Sequence, residues 1–345
     1  MASTPGDPFL AAAHGGVASH VPVWFMRQAG RSLPEYREKR GEGSILDAIK
    51  QPDLAAEFTI QPVRRHGVDA AVLYSDIVVP PHAVGFGIDV APGTGPVASS
   101  PLRSRDDLSR LRELSPDDIA YVTDTVDILV RELKVPLLAF AGAPFTVASY
   151  LIEGRPSRTY QNTKRMMHAD PALWHAVMER LVQHSVTFVS AQLSHGAEAF
   201  QMFDSWAGSL SRADYDEFVK PHTASVFAQV ASLHPGVAGI HYGIGCDHLL
   251  ESMNSVGNTV IGLDWRTTIG DARRRLGADQ VVQGNLDPAL VLAGTDIALS
   301  GASAVLADNG GHPGHIFNLG HGVQPDTDPG VLTAIVEHVH ERSRA

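Results

Sequence analysis

The chain is short of cysteine, of basic runs and of long apolar stretches, and each shortage narrows what it can be. A single thiol, Cys246, among 345 residues excludes an intrachain disulfide framework and a zinc site built on several cysteines. No apolar run approaches the roughly 20 residues that span a bilayer. The first residues, MASTPGDPFLAAAHGG, show neither the basic start nor the sustained apolar stretch of a secretory signal. A cytoplasmic location is the resulting expectation, with no membrane partner. Lysine and arginine number 27 against 38 aspartates and glutamates, a formal net charge of −11. The densest basic run, Arg273-Arg274-Arg275, is the size of one solvated helix face, so no nucleic-acid partner is expected. An anionic ligand would have to be held by cations gathered inside a cleft, against the field of the whole molecule. What is there, 44% apolar and 19% charged residues, is the composition of a soluble globular chain with a sizeable core.

Eight short apolar segments, rich in β-branched or aromatic residues and closed by polar or glycine turns, read as buried strands. They are Val21–Met26, Ala70–Tyr74, Leu137–Ala141, Ala199–Phe203, Ala238–Tyr242, Val260–Leu263, Val281–Gln283 and His315–Leu319. Helical periodicity covers Asp53–His66, Pro116–Leu133, Pro171–His195, Arg212–Leu233 and Pro288–Ala307, with Asp-Pro and Ser-Arg-Ala-Asp openings as starts. The alternation predicts an α/β chain with a parallel sheet, and eight repeats fit a single (β/α)8 TIM-type barrel; an open doubly wound sheet is the second choice. The glycine- and proline-rich stretch 91–101 reads as a loop, residues 1–20 as a poorly ordered extension, and the whole of 1–345 as one domain.

Such barrels gather their active-site cleft at the carboxyl ends of the strands. The polar residues there are Arg27, Asp76, the Gly142-Ala143-Pro144 turn, Ser205, Gly243, Asp264, Asn285 and His321. The segment Pro22–Arg31 runs an apolar stretch into Arg27-Gln28-Ala29-Gly30-Arg31. Guanidinium forks suit carboxylates or phosphates, and the small residues between them allow close approach; surface arginines paired with acids are the alternative. Asp76 needs a cation or several donors if buried. It reads as a helix cap or an ion-pair partner of Arg27 or Arg31, or else as an acceptor for ligand N–H groups. Tyr150 falls on a helix leaving its strand, in the core or at the site. Ser205 lacks the G-x-S-x-G turn of a hydrolase nucleophile and reads as a donor. Phe203 offers an apolar wall or ordinary packing. His321 stands between two glycines. His312, His315 and His321 have no carboxylate among them and fit no zinc spacing, so no metal is expected.

The strings PVWFMRQAGRSLPEYR, YSDIVVP, APFTVASYLIEG, QMFDSWAG, HYG, IGLDW, QGNLDP and FNLGHGV, in that order, resemble the uroporphyrinogen decarboxylase family along nearly the whole chain. The resemblance implies the barrel, a homodimer, and cofactor-free decarboxylation of four acetate side chains of uroporphyrinogen III to give coproporphyrinogen III. It also implies that the family's substrate loop is Arg27, Gln28, Ala29, Gly30 and Arg31, with Asp76 binding the pyrroles and Tyr150, Ser205 and His321 contacting the porphyrinogen. Asp76 and Arg27 are the catalytic candidates, and Phe203 the apolar floor. Ser32 departs from the aromatic residue the family often has, and GRPSRTYQ at 154–161 departs from its Gly-Ser-rich loop. A cobamide-dependent methyltransferase of the same superfamily is the nearest rival. It would need a His-x-Cys pair and a further Cys on zinc, whereas this chain has His241-Tyr242-Gly243 and one thiol. A tetrapyrrole-binding protein without activity is the other.

Overall fold

The computed structural model describes residues 7–30 and 32–344. Nine strands lie among them: β1 Ala71–Val72, β2 Ile88–Ala91, β3 Gly95–Ala98, β4 Leu137–Gly142, β5 Ala199–Phe203, β6 Ala238–Tyr242, β7 Val260–Gly262, β8 Val281–Gln283 and β9 His315–Ile316. Seven form one parallel sheet in the order β1-β4-β5-β6-β7-β8-β9. Ala71 pairs with Leu137, Leu138 with Ala199, Ala199 with Ala238, Ile240 with Val260, Val260 with Val281, and Val282 with His315. Nearly every residue of these strands is buried, as expected of parallel strands covered on both faces.

The sheet is curled. Gln283 on β8 donates to Gln201 on β5 at 2.8 Å and accepts from Trp24 Nε1 at 3.0 Å, so side chains of non-adjacent strands meet across its concave side. Residues 22–24 touch both of its edges. Phe317 N donates to Pro22 O at 2.8 Å and Trp24 N to Phe317 O at 3.3 Å, while Asp69 N donates to Val23 O at 2.8 Å. The expected strand Val21–Met26 is thus reduced to a single parallel bridge between Val23 and Phe317. Its ladder is interrupted for a local reason. Pro22 has no N–H, and the amides of Val23, Phe25 and Met26 are taken by the side chains of Asp69, Gln28 and Asn318.

Two further expectations are corrected. Stretch 91–101 is not all loop: β2 and β3 form an antiparallel hairpin, Ile88 opposite Ala98, turned by Gly93 and Gly95 at φ 73° and 96°. Ala98 N donates to Gly154 O at 2.9 Å, so the hairpin braces the end of the helix Pro144–Glu153. Within 1–20, residues Pro8–Ala13 form a helix capped by Asp7, with Phe9 fully buried, rather than a poorly ordered extension; residues 1–6 lie outside the described residues.

The long helix Pro171–Ser194 starts on Pro171 with the Asp170 carboxylate accepting from Leu173 N at 3.0 Å. The expected Arg212–Leu233 helix divides at Val219, just ahead of Pro221, and Pro288–Ala307 divides at Gly294, whose φ of 106° no helix accommodates. Among the described residues no helix is long and apolar enough to cross a membrane.

Candidate active site

Arg27 leaves the end of the 22–26 segment in the left-handed region, φ 62°, a conformation that costs a non-glycine residue on the order of 1 kcal/mol. Gln28 holds the turn. It is fully buried, its Oε1 accepts from Phe25 N at 2.9 Å, and its Nε2 donates to Ala70 O at 3.0 Å. Both ends of the Gln28 side-chain amide are thus spent on the fold, so a loop residue at this position can meet a ligand only through its backbone. The turn pushes the Arg27 side chain outward, where it lies along Gly322; a Cβ on Gly322 would sit 2.5 Å from Arg27 Cδ. Ala29 and Gly30 follow, half-buried. Arg31 lies outside the described residues.

Asp76 ends the turn after β1, partly accessible. Its Oδ1 accepts from Val78 N at 3.0 Å, closing an Asx-type turn; it is not the helix cap expected, because the next helix, Val79–Ala83, is capped at Val78 without a side-chain bond. Burial raises its pKa above the ordinary value, while backbone N–H groups and the Arg27 guanidinium pull the other way. A carboxylate that water solvates poorly, with one cation near and an accessible edge, is suited to accept from N–H groups of a ligand.

Tyr150 lies on the helix Pro144–Glu153, and burial pushes its hydroxyl up to about 12. The charges of Asp76 and Arg27 both reach it. Its ring stands edge-on to Trp206 at 6.0 Å between centroids, and Tyr160 lies 5.9 Å from the same indole. Tyr160 belongs to the divergent 154–161 stretch, so that departure reaches the site through Trp206. Ser205, half-buried, precedes Trp206 in the turn after β5. The turn is fixed from below: Thr146 donates to the fully buried Asp204 at 3.0 Å, and Trp206 N donates to Thr146 Oγ1 at 3.3 Å. Phe203 packs edge-on against Phe140 at 5.5 Å and Tyr242 at 6.1 Å, forming an aromatic floor.

His321 closes the ring. Gly322 N donates to its Nδ1 at 2.7 Å, which places the proton of the neutral ring on Nε2, free to donate. Burial first, and then the Arg27 charge, lower its pKa, so it is neutral near pH 7. Arg27 thus acts on Asp76, Tyr150, Tyr242 and His321 alike, which gathers residues from four parts of the chain.

Arg266 is a cation that sequence reading missed. The backbone of Gly320 packs so closely on the turn after β7 that a Cβ would meet Trp265 N at 2.4 Å, which sets Arg266 beside the His321 turn. Its charge reaches both His321 and Tyr242. Asp264 orients it, accepting from Arg266 Nη1 at 2.6 Å and from Gly245 N at 2.6 Å. The guanidinium lies 4.1 Å over the Trp265 ring and half its side chain is exposed. The Asp-x-Arg spacing directly after a strand was the available signal. Asp264 and Asn285, both at strand ends, serve as braces, with Asn285 Nδ2 donating to Asp264 O at 2.9 Å. Gly243 offers no room for a ligating side chain: a Cβ there would lie 2.6 Å from Cys246 Sγ.

An accessible carboxylate, cations on one flank and an aromatic floor, all at the carboxyl ends of a curled parallel sheet, make an α/β protein whose cleft suits a polyanion with a donor-rich centre. The family model described as uroporphyrinogen decarboxylase (URO-D) matches residues 4–342, and the chain belongs to that family. Proteins named uroporphyrinogen decarboxylase from Saccharopolyspora erythraea and Salinispora tropica are 53% and 51% identical over 97% and 98% of this chain, and 95% and 92% of their own lengths. One from Streptomyces coelicolor is 49% identical, over 99% of this chain and 96% of its own. In fold, a methyltransferase from Methanosarcina mazei superposes with a TM-score of 0.80 over 99% of both chains, at 19% identity.

Proposed function

We propose that this chain decarboxylates uroporphyrinogen III to coproporphyrinogen III, releasing four molecules of carbon dioxide without a cofactor. The observation that carries the reading is Asp76: a partly accessible carboxylate held by its own turn, raised in pKa by burial, and facing the Arg27 field. Four pyrrole N–H groups at the centre of a flexible ring are donors that such a carboxylate can gather. The eight carboxylates of the rim suit Arg27, Arg31, Arg266 and the Nε2–H of His321, and Tyr150 and Ser205 add hydroxyls. Phe203, Phe140 and Tyr242 face the apolar ring.

Loss of carbon dioxide from an acetate arm needs somewhere for the bonding electrons to go. Protonation of the adjacent pyrrole carbon makes a ring cation; cleavage of the carboxylate bond feeds its electron pair into that cation. A second proton on the freed methylene and loss of the first from the ring leave a methyl group. The net change per arm is one proton taken up and one carbon dioxide lost. Ionised Asp76 stabilises the ring cation by staying in place with its charge already oriented. Arg27 aligns the departing carboxylate. A guanidinium with a pKa above about 12 is a poor acid at neutral pH, so the protons travel through water or a substrate carboxyl.

The same reading takes the curled sheet as a closed eight-stranded barrel, supported by the hydrogen bonds from residues 22–24 to Phe317 and Asp69. It takes the working molecule as a cytoplasmic homodimer. The test is anaerobic incubation with reduced uroporphyrinogen III, then oxidation and a count of carboxyl groups on the product. Conversion from eight to four supports the proposal; bound ligand recovered with all eight would make this a carrier.

A further inference from the structure

We propose that His20, Asp69 and His340 form a binding site for one divalent transition-metal ion, with Zn²⁺ the best fit, at the end of the sheet opposite the mouth. Asp69 stands just before β1, whereas the proposed active site lies beyond the strands' other ends. His20 precedes the 22–24 bridge, and His340 lies near the end of the helix Pro329–Ser343. Three distant parts of the chain thus converge on one carboxylate. His20 Nε2 lies 2.9 Å from Asp69 Oδ1 and His340 Nε2 2.7 Å from Asp69 Oδ2. The three potential ligand atoms all lie within 4.8 Å of one another.

Two imidazoles and one carboxylate are a donor set that suits zinc and its neighbours. The frame is built before any ion arrives. Val23 N donates to Asp69 Oδ2 at 2.7 Å, and Val21 N donates to Ser343 Oγ at 2.9 Å, which ties the His20 segment to the helix carrying His340. The side chains are 20%, 11% and 21% exposed for His20, Asp69 and His340, so the ligands are shielded while a route for the ion and a water ligand stays open. Asp7 adds a second carboxylate within electrostatic reach of Asp69 and His20.

The ion enters by a small opening. Ligand atoms about 2.0–2.1 Å from a tetrahedral zinc stand about 3.3 Å apart, so each imidazole retreats from the carboxylate by about half an ångström. An imidazole that ligates through Nε2 carries its ring proton on Nδ1. For His20 that Nδ1–H meets Ser19 Oγ, 3.0 Å away, the outer partner that fixes a ligating imidazole. Bound metal would clasp the start of the chain, β1 and the last helix together.

The test uses tag-free, chelator-treated full-length protein titrated with ZnCl₂ by calorimetry and with CoCl₂ by visible absorption. One saturable equivalent is expected, with a Zn²⁺-dependent rise in Tm. His340→Gln and His20→Gln keep a hydrogen-bonding side chain, and each should weaken binding at least tenfold and abolish the Tm rise. Ser19→Ala should weaken it about tenfold. Decarboxylation should be unaffected in all three. Absence of a saturable equivalent, or equal affinity in both glutamine variants, overturns the proposal; the latter would put the ion on other histidines.

Discussion

Replacing Asp76 by Asn separates the chemical from the structural role of this residue. Asn is the same size, and its Oδ1 can keep the 3.0 Å bond from Val78 N. What it lacks is the charge. Losing one preorganised group that stabilises charge in the transition state costs about 3–4 kcal/mol, a fall in kcat of about 10²–10³. Stability should move the other way. The native pKa of Asp76 lies above 3.8 because burial penalises the carboxylate. The folded state therefore holds its proton more tightly than the unfolded chain, and stability falls as pH rises through the window between the two values. Above that window the cost is fully present, and the neutral amide removes it. Turnover and thermal unfolding measured on the same preparation should show Asp76→Asn nearly inactive with a Tm equal to or above the parent. Turnover within a few-fold of the parent would refute the electrostatic role, and a Tm far below it would mean that the residue chiefly holds its own turn.

Gly322→Ala should act at a distance on Arg27: the new Cβ, 2.5 Å from Cδ, displaces a flexible side chain and spares the backbone. Steady-state kinetics should show kcat/KM reduced about ten- to hundredfold with little change in Tm. Arg27→Lys should raise KM more than it lowers kcat, because the charge survives and the two-pronged grip does not. Gln28→Ala orphans Phe25 N and Ala70 O in the core, so chemical denaturation should show a loss of about 2–4 kcal/mol; an unchanged stability would contradict this. Acid should unfold the protein early. His184 and His315, 1% and 2% exposed, have pKa values lowered by burial from 6.5 to about 4. Each therefore contributes stability that is present above pH 6.5 and lost as pH falls toward 4, about 3 kcal/mol apiece by then. A urea midpoint flat between pH 7 and 4 would contradict this.

Much of the site is legible from strand ends alone. Arg27, Asp76, Tyr150 and His321 come from segments far apart in sequence, and the rule that parallel strands present their carboxyl ends together predicts their meeting. Direction is harder to read. Nothing in Arg27-Gln28-Ala29 says that the arginine points out and the glutamine in; that follows from a left-handed turn and from backbone groups that need the glutamine amide. The β2–β3 hairpin was hidden because glycines at positive φ, which make its turn, are also what marks a loop. Arg266 went unseen because its role depends on Gly320 lying against Trp265, a contact between residues more than fifty positions apart. Asp204 shows no sign in the sequence of more than ordinary adjacency to Ser205. It is instead the buried anchor that, with Thr146, fixes the turn carrying Ser205 and Trp206.

The central claim is that one carboxylate gathers the pyrrole nitrogens while cations hold the rim. A crystal structure with coproporphyrinogen, grown anaerobically, tests it most directly. The account predicts the four nitrogens converging within hydrogen-bond distance of the Asp76 carboxylate, with rim carboxylates on Arg27, Arg266 and His321. A tetrapyrrole seated elsewhere, or one whose nitrogens turn away from Asp76, would contradict it.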